Sequence, residues 1–427
     1  MKKNVYPYQI YTNKDGVLYH FNTYKLILTE VNAMHVDLLK KIEKLEFEDV
    51  QNSIFNDEQK QCLCDLKECE MISDEKIIFK NTLRVCEPTA YRIVLTEQCN
   101  LACVECFVTK NLDCLATMDR KTLFSVLDYS FNHSNNKSIS YCFFGGEPLI
   151  KYDLIKAAVA KIEEAERNQL IKHPSFLITT NGTILTDEMV DFFVEHDIRV
   201  GVSIDGPKEI HDKLRPYKNA HGTFEDVRKN YMKMYNRGVN IHVLITPNPD
   251  YLDSLPNIVK YVLDNFPMKE LTINTPFKYD TLQWTVDGQK FANILFEIYK
   301  IASNYGVILD SALSVVLGSI SNGIRRQTAC SILGDEFMAL VNPQGKISRC
   351  AQKYDSKIDL RNIHSTNISN NFDCEKCSSY GFCGGVCPAY KVLSGISPDL
   401  NKCKFMHAII PNLIDNLNFF EESNNDT

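Results

Sequence analysis

The sequence has little of what marks membrane or nucleic-acid-binding proteins. Its 427 residues include a single tryptophan, and 54 acidic residues outnumber 47 Lys and Arg, which gives a net charge of −7. Nucleic-acid-binding surfaces are basic, so this composition argues against one. No stretch approaches the roughly 18 apolar residues of a membrane span, and no apolar segment of a signal peptide follows the Met-Lys-Lys-Asn start. We therefore expect a cytoplasmic protein with no membrane or nucleic-acid partner.

The 16 cysteines are unevenly distributed along the chain. None lies between Cys142 and Cys330, whereas one group occupies 99–106 and another 330–403. A reducing compartment disfavours structural disulfides. Clustered thiols in such a compartment indicate metal or redox chemistry.

Between about residues 91 and 277, strand-like apolar runs alternate with amphipathic helical patterns. The predicted strands are Tyr91–Thr96, Ser138–Phe144, Phe176–Thr180, Arg199–Ile204, His242–Thr246 and Leu271–Thr275. The predicted helices are Lys121–Ser130, Leu154–Ala165, Asp187–His196, Phe224–Tyr235 and Asp253–Asp264. Such alternation predicts parallel strands with right-handed crossovers. We expect an α/β fold, a partial (β/α)6 TIM-like barrel over 88–310, with its chemistry at the strand carboxyl ends.

Residues 1–85 predict a separate winged-helix-like module. Its predicted elements are strands Val17–Phe21 and Tyr24–Leu28, helix Met34–Leu45, further helix to Glu70 and a strand at Lys76–Phe79. Cys62, Cys64 and Cys69 fit no metal-binding spacing. Because positions 62 and 69 share a helix face, we interpret them as buried thiols.

The first cysteine group follows the first barrel strand as Cys99-x3-Cys103-x2-Cys106. A tight loop with this spacing can place three thiolates around one iron–sulfur cubane. A four-iron cluster normally takes four cysteine ligands, so three would leave one iron open for catalysis. The alternatives are a structural zinc loop or buried thiols, although zinc sites usually have a fourth ligand close by.

With the motifs that follow it, this loop resembles the radical SAM (S-adenosylmethionine) superfamily. The motifs are Gly145-Gly146-Glu147-Pro148, Thr179-Thr180-Asn181-Gly182, Val202-Ser203-Ile204-Asp205-Gly206, His211-Asp212-x-x-Arg215 and Gly222-Thr223-Phe224. The resemblance implies that Cys99, Cys103 and Cys106 hold a catalytic [4Fe-4S] cluster. It also implies that the Gly145-Gly146-Glu147 backbone binds the SAM amino group, that Ser203 and Arg215 bind its carboxylate, and that Asn181 belongs to the same site.

The chemistry that the resemblance implies is reductive SAM cleavage. It yields methionine and a 5′-deoxyadenosyl radical, which abstracts hydrogen from an unactivated C–H bond. One departure concerns the adenine. The family usually has an aromatic residue before the third cysteine, where this chain has Glu105 and places Phe107 after the cysteine.

The second cysteine group resembles the SPASM extension of radical SAM enzymes, which binds two auxiliary [4Fe-4S] clusters. Its pattern is Cys330-x14-Gly345-x4-Cys350, then Cys374-x2-Cys377-x5-Cys383-x3-Cys387, then Cys403. The resemblance implies an outer cluster on Cys374, Cys377, Cys383 and Cys403, an inner cluster on Cys330, Cys350 and Cys387, and a domain over 325–415. A zinc ribbon is the alternative, but one zinc ion needs only four ligands.

The inner cluster has three cysteines in this pattern. Where related enzymes often have a fourth, about six residues upstream of the first, this chain has Ile324. Either an iron stays open for a substrate thiolate, as in some thioether-forming enzymes, or Asp335, Cys86, Cys114 or water takes the position.

These features favour a maturase that forms a Cys thioether cross-link in a ribosomal precursor peptide. Residues 1–85 would bind the peptide's leader as an added strand, and flavodoxin or ferredoxin would supply electrons. Sulfatase-maturase-like Ser or Cys oxidation is less favoured, because such enzymes use an aspartate where this chain has Ala351. Carbon–carbon cross-linking, epimerisation and a non-catalytic, metal-stapled binding protein stay open.

Overall fold

The computed structural model describes residues 5–45, 55–74, 87–104, 106, 115–133, 138–278, 283–326, 338–348, 374, 377–385 and 399–420. Among the helices in these ranges, none has the length and apolar composition needed to cross a bilayer.

The centre of the fold is a nine-stranded sheet surrounded by helices. Its strands, in chain order, are β4 (Ala90–Thr96), β5 (Ser138–Gly145), β6 (Lys172–Thr180), β7 (Arg199–Ser203), β8 (Ile241–Ile245), β9 (Glu270–Ile273), β12 (Ile308–Ser311), β13 (Met338–Val341) and β14 (Ile347–Ser348). Spatially the order is β12-β9-β8-β7-β6-β5-β4-β13-β14. Every neighbouring pair is parallel except β13–β14.

Helices connect these strands. They are α3 (Arg120–Asn132), α4 (Tyr152–Arg167), α5 (Asp187–Glu195), α6 (Lys208–Leu214), α7 (Phe224–Asn236), α8 (Leu255–Asn265), α9 (Gly288–Asn304) and α10 (Ala312–Ser321). A two-stranded ribbon, β10 (Phe277–Lys278) with β11 (Gln283–Trp284), precedes α9. The apolar faces of helices and sheet form one large core.

The predicted six-strand barrel is confirmed, with one correction. Strands β4 to β9 and their helices lie where the periodicity placed them, with most ends within one or two residues. The prediction omitted two further parallel strands. β12 pairs with β9 at one edge and β13 pairs with β4 at the other. Each has four residues, too few for a clear periodic signal.

The N-terminal module contains an antiparallel sheet of three strands, not the predicted pair. Its elements are β1 (Tyr8–Thr12), β2 (Leu18–Asn22), β3 (Ile27–Val31), α1 (Ala33–Glu43) and α2 (Asp57–Glu68). The prediction of a strand at Tyr24–Leu28 was wrong by three residues at each end. Asn22 Oδ1 accepts hydrogen bonds from the N–H groups of Tyr24 and Lys25, and Leu26 has φ +61°, so residues 23–26 form the turn. The predicted strand Lys76–Phe79 lies outside the described residues.

This small sheet is packed on both faces. Phe21 and Leu26 belong to the large barrel core, whereas a second core on the other side of the sheet contains Leu39, Cys62 and Leu66. The prediction of buried thiols is correct for Cys62, whereas Cys69, directly after α2, is partly buried against that second core and Cys64 is exposed. The module is therefore joined to the barrel by apolar packing.

The C-terminal segment ends in a helix that lacked a clear sequence signal, α12 (Leu400–Ile414). It packs along α9, where the chain's single tryptophan, Trp284, contacts Phe405 with ring centroids 5.0 Å apart. Gly288 permits the close approach of the helices, because a Cβ there would lie 1.7 Å from the Asn401 carbonyl oxygen.

We expect Gly288→Ala to destabilise the fold by at least about 1–3 kcal/mol, because backbone in α12 blocks the added methyl group. Gly318→Ala on α10 is the matched control. No atom lies within 4 Å of its added Cβ, so the better helix propensity of alanine should stabilise by up to about 1 kcal/mol. Thermal unfolding midpoints measure both. A Gly288→Ala midpoint at or above that of the parent chain would contradict this packing.

Candidate active site

The ends of β4 and β5 meet through direct backbone contact. Gly145 has φ +146°, and a Cβ on it would lie 2.1 Å from the Thr96 carbonyl oxygen. A Cβ on Gly146 would lie 2.3 Å from the Gln98 carbonyl oxygen. The Gly146 N–H donates to Thr96 O at 2.8 Å. Only glycines fit at these two positions. The Gly-Gly pair therefore lies against Gln98, the residue that directly precedes Cys99.

Glu147 extends this junction to β6. Its buried carboxylate accepts hydrogen bonds from the Leu149 N–H, the Thr180 hydroxyl and the Asn181 N–H at 2.8–3.1 Å. Burial raises the pKa of Glu147 to about 7, and its three hydrogen-bond donors oppose that rise. The main chain of Glu147 is also hydrogen-bonded, because its N–H donates to Gln98 O at 2.9 Å and its carbonyl oxygen accepts the Ile150 N–H at 3.2 Å.

Asn181 links the end of β6 to the first cysteine. Its Nδ2 lies 3.7 Å from Cys99 Sγ and 3.0 Å from Asn100 Oδ1. The Leu101 N–H also points at Cys99 Sγ, at 3.4 Å. N–H groups directed at a sulfur are the surroundings that an iron-bound thiolate needs. Asn181, predicted as a site residue, therefore lies beside the cysteine loop.

Cys99, Cys103 and Cys106 are electrostatically coupled. Burial raises the pKa of the Cys99 thiol to about 11, with contributions from both other thiols. Three cysteine thiols on one loop are the donor set of a four-iron cluster that keeps one iron open.

Arg215 lies between an acidic partner and the cysteine loop. Its Nε donates to Asp205 Oδ2 at 2.6 Å and its Nη2 to Asp205 Oδ1 at 3.3 Å. Its positive charge also lies near the Cys103 thiol and opposes the rise that burial causes in the pKa of that thiol. Burial lowers the pKa of Arg215, but Asp205, Cys103 and Cys106 together outweigh burial, so the pKa is raised and the guanidinium stays charged.

The backbone of the cysteine loop is tied to the segment around Arg215. The Ala102 N–H donates to Pro216 O at 2.8 Å, and the Val104 N–H donates to Leu214 O at 2.9 Å. Ser203, the other predicted carboxylate ligand, lies half-buried at the end of β7. The structure thus brings the predicted first-cluster cysteines, Gly145, Gly146, Glu147, Asn181, Ser203 and Arg215 to the carboxyl ends of β4 to β7.

Sequence reasoning did not assign Asp205 or His211 to the site. Besides Arg215, Asp205 accepts a hydrogen bond from the Thr246 N–H at 3.1 Å. The buried His211 receives the Asp205 N–H on Nδ1 at 3.2 Å and contacts the Thr223 hydroxyl through Nε2. Both residues lie within the motifs quoted above, and this position in a motif is the sequence feature that could have identified them as site residues.

The outer cysteines also come together. Burial raises the pKa of the Cys403 thiol, Cys383 raises it further, and Cys374 and Cys377 contribute while Lys402 opposes them. Cys374, Cys377 and Cys383 precede Cys403 along the chain, and Cys383 is the last residue of the short helix α11 (Tyr380–Cys383). The helix ends at Gly384 and Gly385, which have φ +72° and +86°.

Several predicted residues lie outside the described part of the chain. They are Cys330, Cys350, Cys387, Glu105, Phe107, Asp335, Cys86, Cys114 and Ala351. Ile324, at the position of the absent fourth inner cysteine, is 62% exposed.

Known proteins resemble this chain in sequence. The sequence profile of the Radical SAM superfamily matches residues 93–262. MJ0907, an uncharacterized protein of Methanocaldococcus jannaschii, is 33% identical over 206 residues, which are 47% of this chain and 68% of that protein. The cysteine-type anaerobic sulfatase-maturating enzyme of Clostridium novyi is 23% identical over 68% of this chain and 85% of its own length. The chain belongs to the radical SAM superfamily, and it is a radical SAM enzyme that uses SAM and a [4Fe-4S] cluster.

Two solved structures share the fold. The anSMEcpe enzyme with bound AdoMet covers 80% of this chain and 100% of its own, with 19% identity and a TM-score of 0.62. Streptococcus suis SuiB bound to precursor peptide SuiA covers 93% of this chain and 98% of its own, with 14% identity and a TM-score of 0.53.

We expect Glu147→Gln to cost about 1–3 kcal/mol of stability, because an amide N–H₂ would face a hydrogen-bond donor in a buried place. It should also lower SAM retention, since the β5 and β6 ends would separate. Glu188→Gln is the matched control, because Glu188 is 66% exposed and pairs with Lys156; such changes stay within about 0.5 kcal/mol. Thermal unfolding and equilibrium dialysis with labelled SAM measure both effects. Equal behaviour of the two variants would show that Glu147 does not hold the junction.

Proposed function

We propose that this enzyme is a peptide maturase that forms a Cys thioether cross-link in a ribosomal precursor peptide. The N-terminal module binds the peptide's leader, and the C-terminal cysteines hold two auxiliary [4Fe-4S] clusters in a SPASM domain. The observation that carries this proposal is the packing of the module against the outer cysteine loop.

Phe21 on β2 meets Phe382 on α11, with ring centroids 6.1 Å apart. Gly381 fits against the turn after β2, since a Cβ there would lie 2.2 Å from the Thr23 carbonyl oxygen. Tyr11 on β1 lies close to Ser378 and Cys377, because both affect the pKa of its hydroxyl, which burial chiefly raises. A peptide docked on the module would therefore lie on the same packed body as the predicted outer cluster.

The edge of the module offers a way to bind a leader. β3 is an outer strand of the three-stranded sheet, and Leu28 and Glu30 on it line an open groove that Ile308 and Leu309 of β12 also line. A strand at a sheet edge presents backbone N–H and C=O groups to an extended peptide. The groove therefore places the edge strand of the module next to β12 at the edge of the barrel sheet.

The SuiB likeness supports a peptide substrate. That structure contains a precursor peptide. Its match covers 93% of this chain, so the unmatched residues are far fewer than the 85 residues of the module. The anSMEcpe match leaves out about as many as this module has. The SuiB match thus extends over most of the module.

The chain's own residues prepare the reaction. When bound, SAM and the reduced cluster supply a 5′-deoxyadenosyl radical. Cys99, Cys103 and Cys106 would hold that cluster, the Gly145–Glu147 backbone would receive the SAM amino group, and Ser203 would join Arg215 at its carboxylate. Asp205 keeps Arg215 oriented, and the guanidinium donors that Asp205 leaves free suit a carboxylate.

Thioether formation removes two hydrogens from the peptide. One leaves a carbon as a hydrogen atom and ends in 5′-deoxyadenosine. The cysteine thiol loses a proton, and one electron leaves as the C–S bond closes. The auxiliary clusters would take that electron, which gives the cysteine-rich C-terminal segment a role in the reaction.

Oxidation of a Ser or Cys to formylglycine is the second candidate. The Clostridium novyi relative and the higher TM-score of anSMEcpe favour it. Ala351, in place of the expected aspartate, weighs against it.

Cysteine variants test the cofactor assignment. Cys99→Ala should abolish 5′-deoxyadenosine formation with dithionite and lower the iron content by about four per chain, because it removes a ligand of an already open cluster. Cys374→Ala should lower iron similarly while leaving uncoupled SAM cleavage. Cys64→Ala, an exposed thiol of the module, is the control and should change neither. Zinc in place of iron in the parent chain would refute the assignment.

Co-expression with any short cysteine-containing peptide that is encoded beside the gene tests the product. We expect one peptide to lose the mass of two hydrogens and its cysteine to resist alkylation, because its sulfur is bonded to carbon. Removing the leader should abolish the change, and Cys106→Ala is the inactive control. A formylglycine product, with the cysteine sulfur replaced by an aldehyde oxygen, would establish the second candidate instead.

A further inference from the structure

His407 is a polar side chain of the C-terminal region that neither the motifs nor the proposed function uses. It lies on α12, where its Nε2 is 3.4 Å from Cys377 Sγ. Among the described residues, the Cys377 thiol is the hydrogen-bonding partner of the His407 ring. The contact joins a histidine to a residue predicted to bind the outer cluster.

The helix register directs His407 to the cysteine site. Cys403 and His407 are four residues apart on α12, so they share one face of the helix. Electrostatic coupling of Cys403 to Cys374, Cys377 and Cys383 shows that this face meets the cysteine loop. The position of His407 on the helix and its contact with Cys377 thus both place its side chain at the cysteine loop.

A second bond fixes the distance between the loop and the helix. The buried Ser379 hydroxyl donates to the Met406 carbonyl oxygen at 3.2 Å. Ser379 lies two residues after Cys377, and Met406 directly precedes His407. Phe382 and Phe405, both fully buried, anchor the same two segments in the core. Such support holds a histidine beside a ligand atom.

We propose that His407 donates a hydrogen bond from Nε2–H to the Cys377 thiolate and thereby raises the reduction potential of the outer auxiliary cluster. The inference rests on the proposed function, which assigns a cluster to these cysteines. Four cysteines already supply one ligand per iron, so His407 is a positioning and tuning residue. An N–H···S bond stabilises the more negatively charged, reduced form.

The test is a redox titration of the reconstituted full chain, monitored by EPR. The iron content of each variant is measured alongside it. His407→Ala should keep full iron and shift the outer-cluster midpoint to lower potential. His407→Gln retains an N–H donor, so its midpoint should lie between that of His407→Ala and that of the parent. Asn412→Ala is the control, because it lies on α12 but bonds Asn293 on α9; it should leave the midpoint unchanged.

Two results would overturn this inference alone. One is an unchanged midpoint in His407→Ala with full iron, and the other is a loss of about four irons, which would make His407 a ligand. If the parent chain already lacks the iron that Cys374→Ala should remove, the cluster assignment fails as well, so the two failures are distinguishable.

Discussion

The site depends on one steric constraint, the contact of two strand ends that leaves no space for side chains. Gly145 and Gly146 lie against the carbonyl groups of residues 96–98, and the cysteine loop begins at the next residue, Cys99. Any Cβ at the two glycines would push β5 away from β4. Glu147, directly after them, carries the constraint on to β6 through its bonds to Thr180 and Asn181. The geometry of the first cysteine group is thus set by backbone packing beneath it.

The electrostatics of the site suit occupants that bring positive charge to the thiols and a carboxylate to Arg215. Burial raises the pKa of Cys99 to about 11, and burial with neighbouring acids also raises that of Cys103. Such thiols stay protonated until a metal favours their thiolate forms. Arg215 supplies the fixed positive charge, and Asp205 compensates it on one side. A ligand bearing both a carboxylate and a positive centre complements this pattern.

The sequence predicted the barrel well, because six strands had strong apolar periodicity, and the cysteine loop and the next three motifs lie at the ends of β4 to β7 as expected. It failed where local signals were weak or misleading. β12 and β13 have four residues each, and the turn around Leu26 has an apolar residue at positive φ, which moved the second predicted strand. Contacts between distant segments, such as Glu147 with Asn181 or His407 with Cys377, leave no trace in periodicity. Motif recognition assigned Glu147 and Asn181 to the site without their contact, and it did not identify His407.

The packing of the N-terminal sheet bears on the choice between the two candidate functions. An accessory module on a linker could bind a peptide without affecting the chemistry. Here β2 contributes Phe21 to the barrel core, and Thr23 and Tyr11 contact the loop that carries Cys377. A leader that adds to the edge of this sheet would press on a structure already in contact with the predicted outer cluster. This mechanical continuity favours an enzyme whose peptide substrate is recognised by the module, because simple oxidation of a side chain needs no such connection.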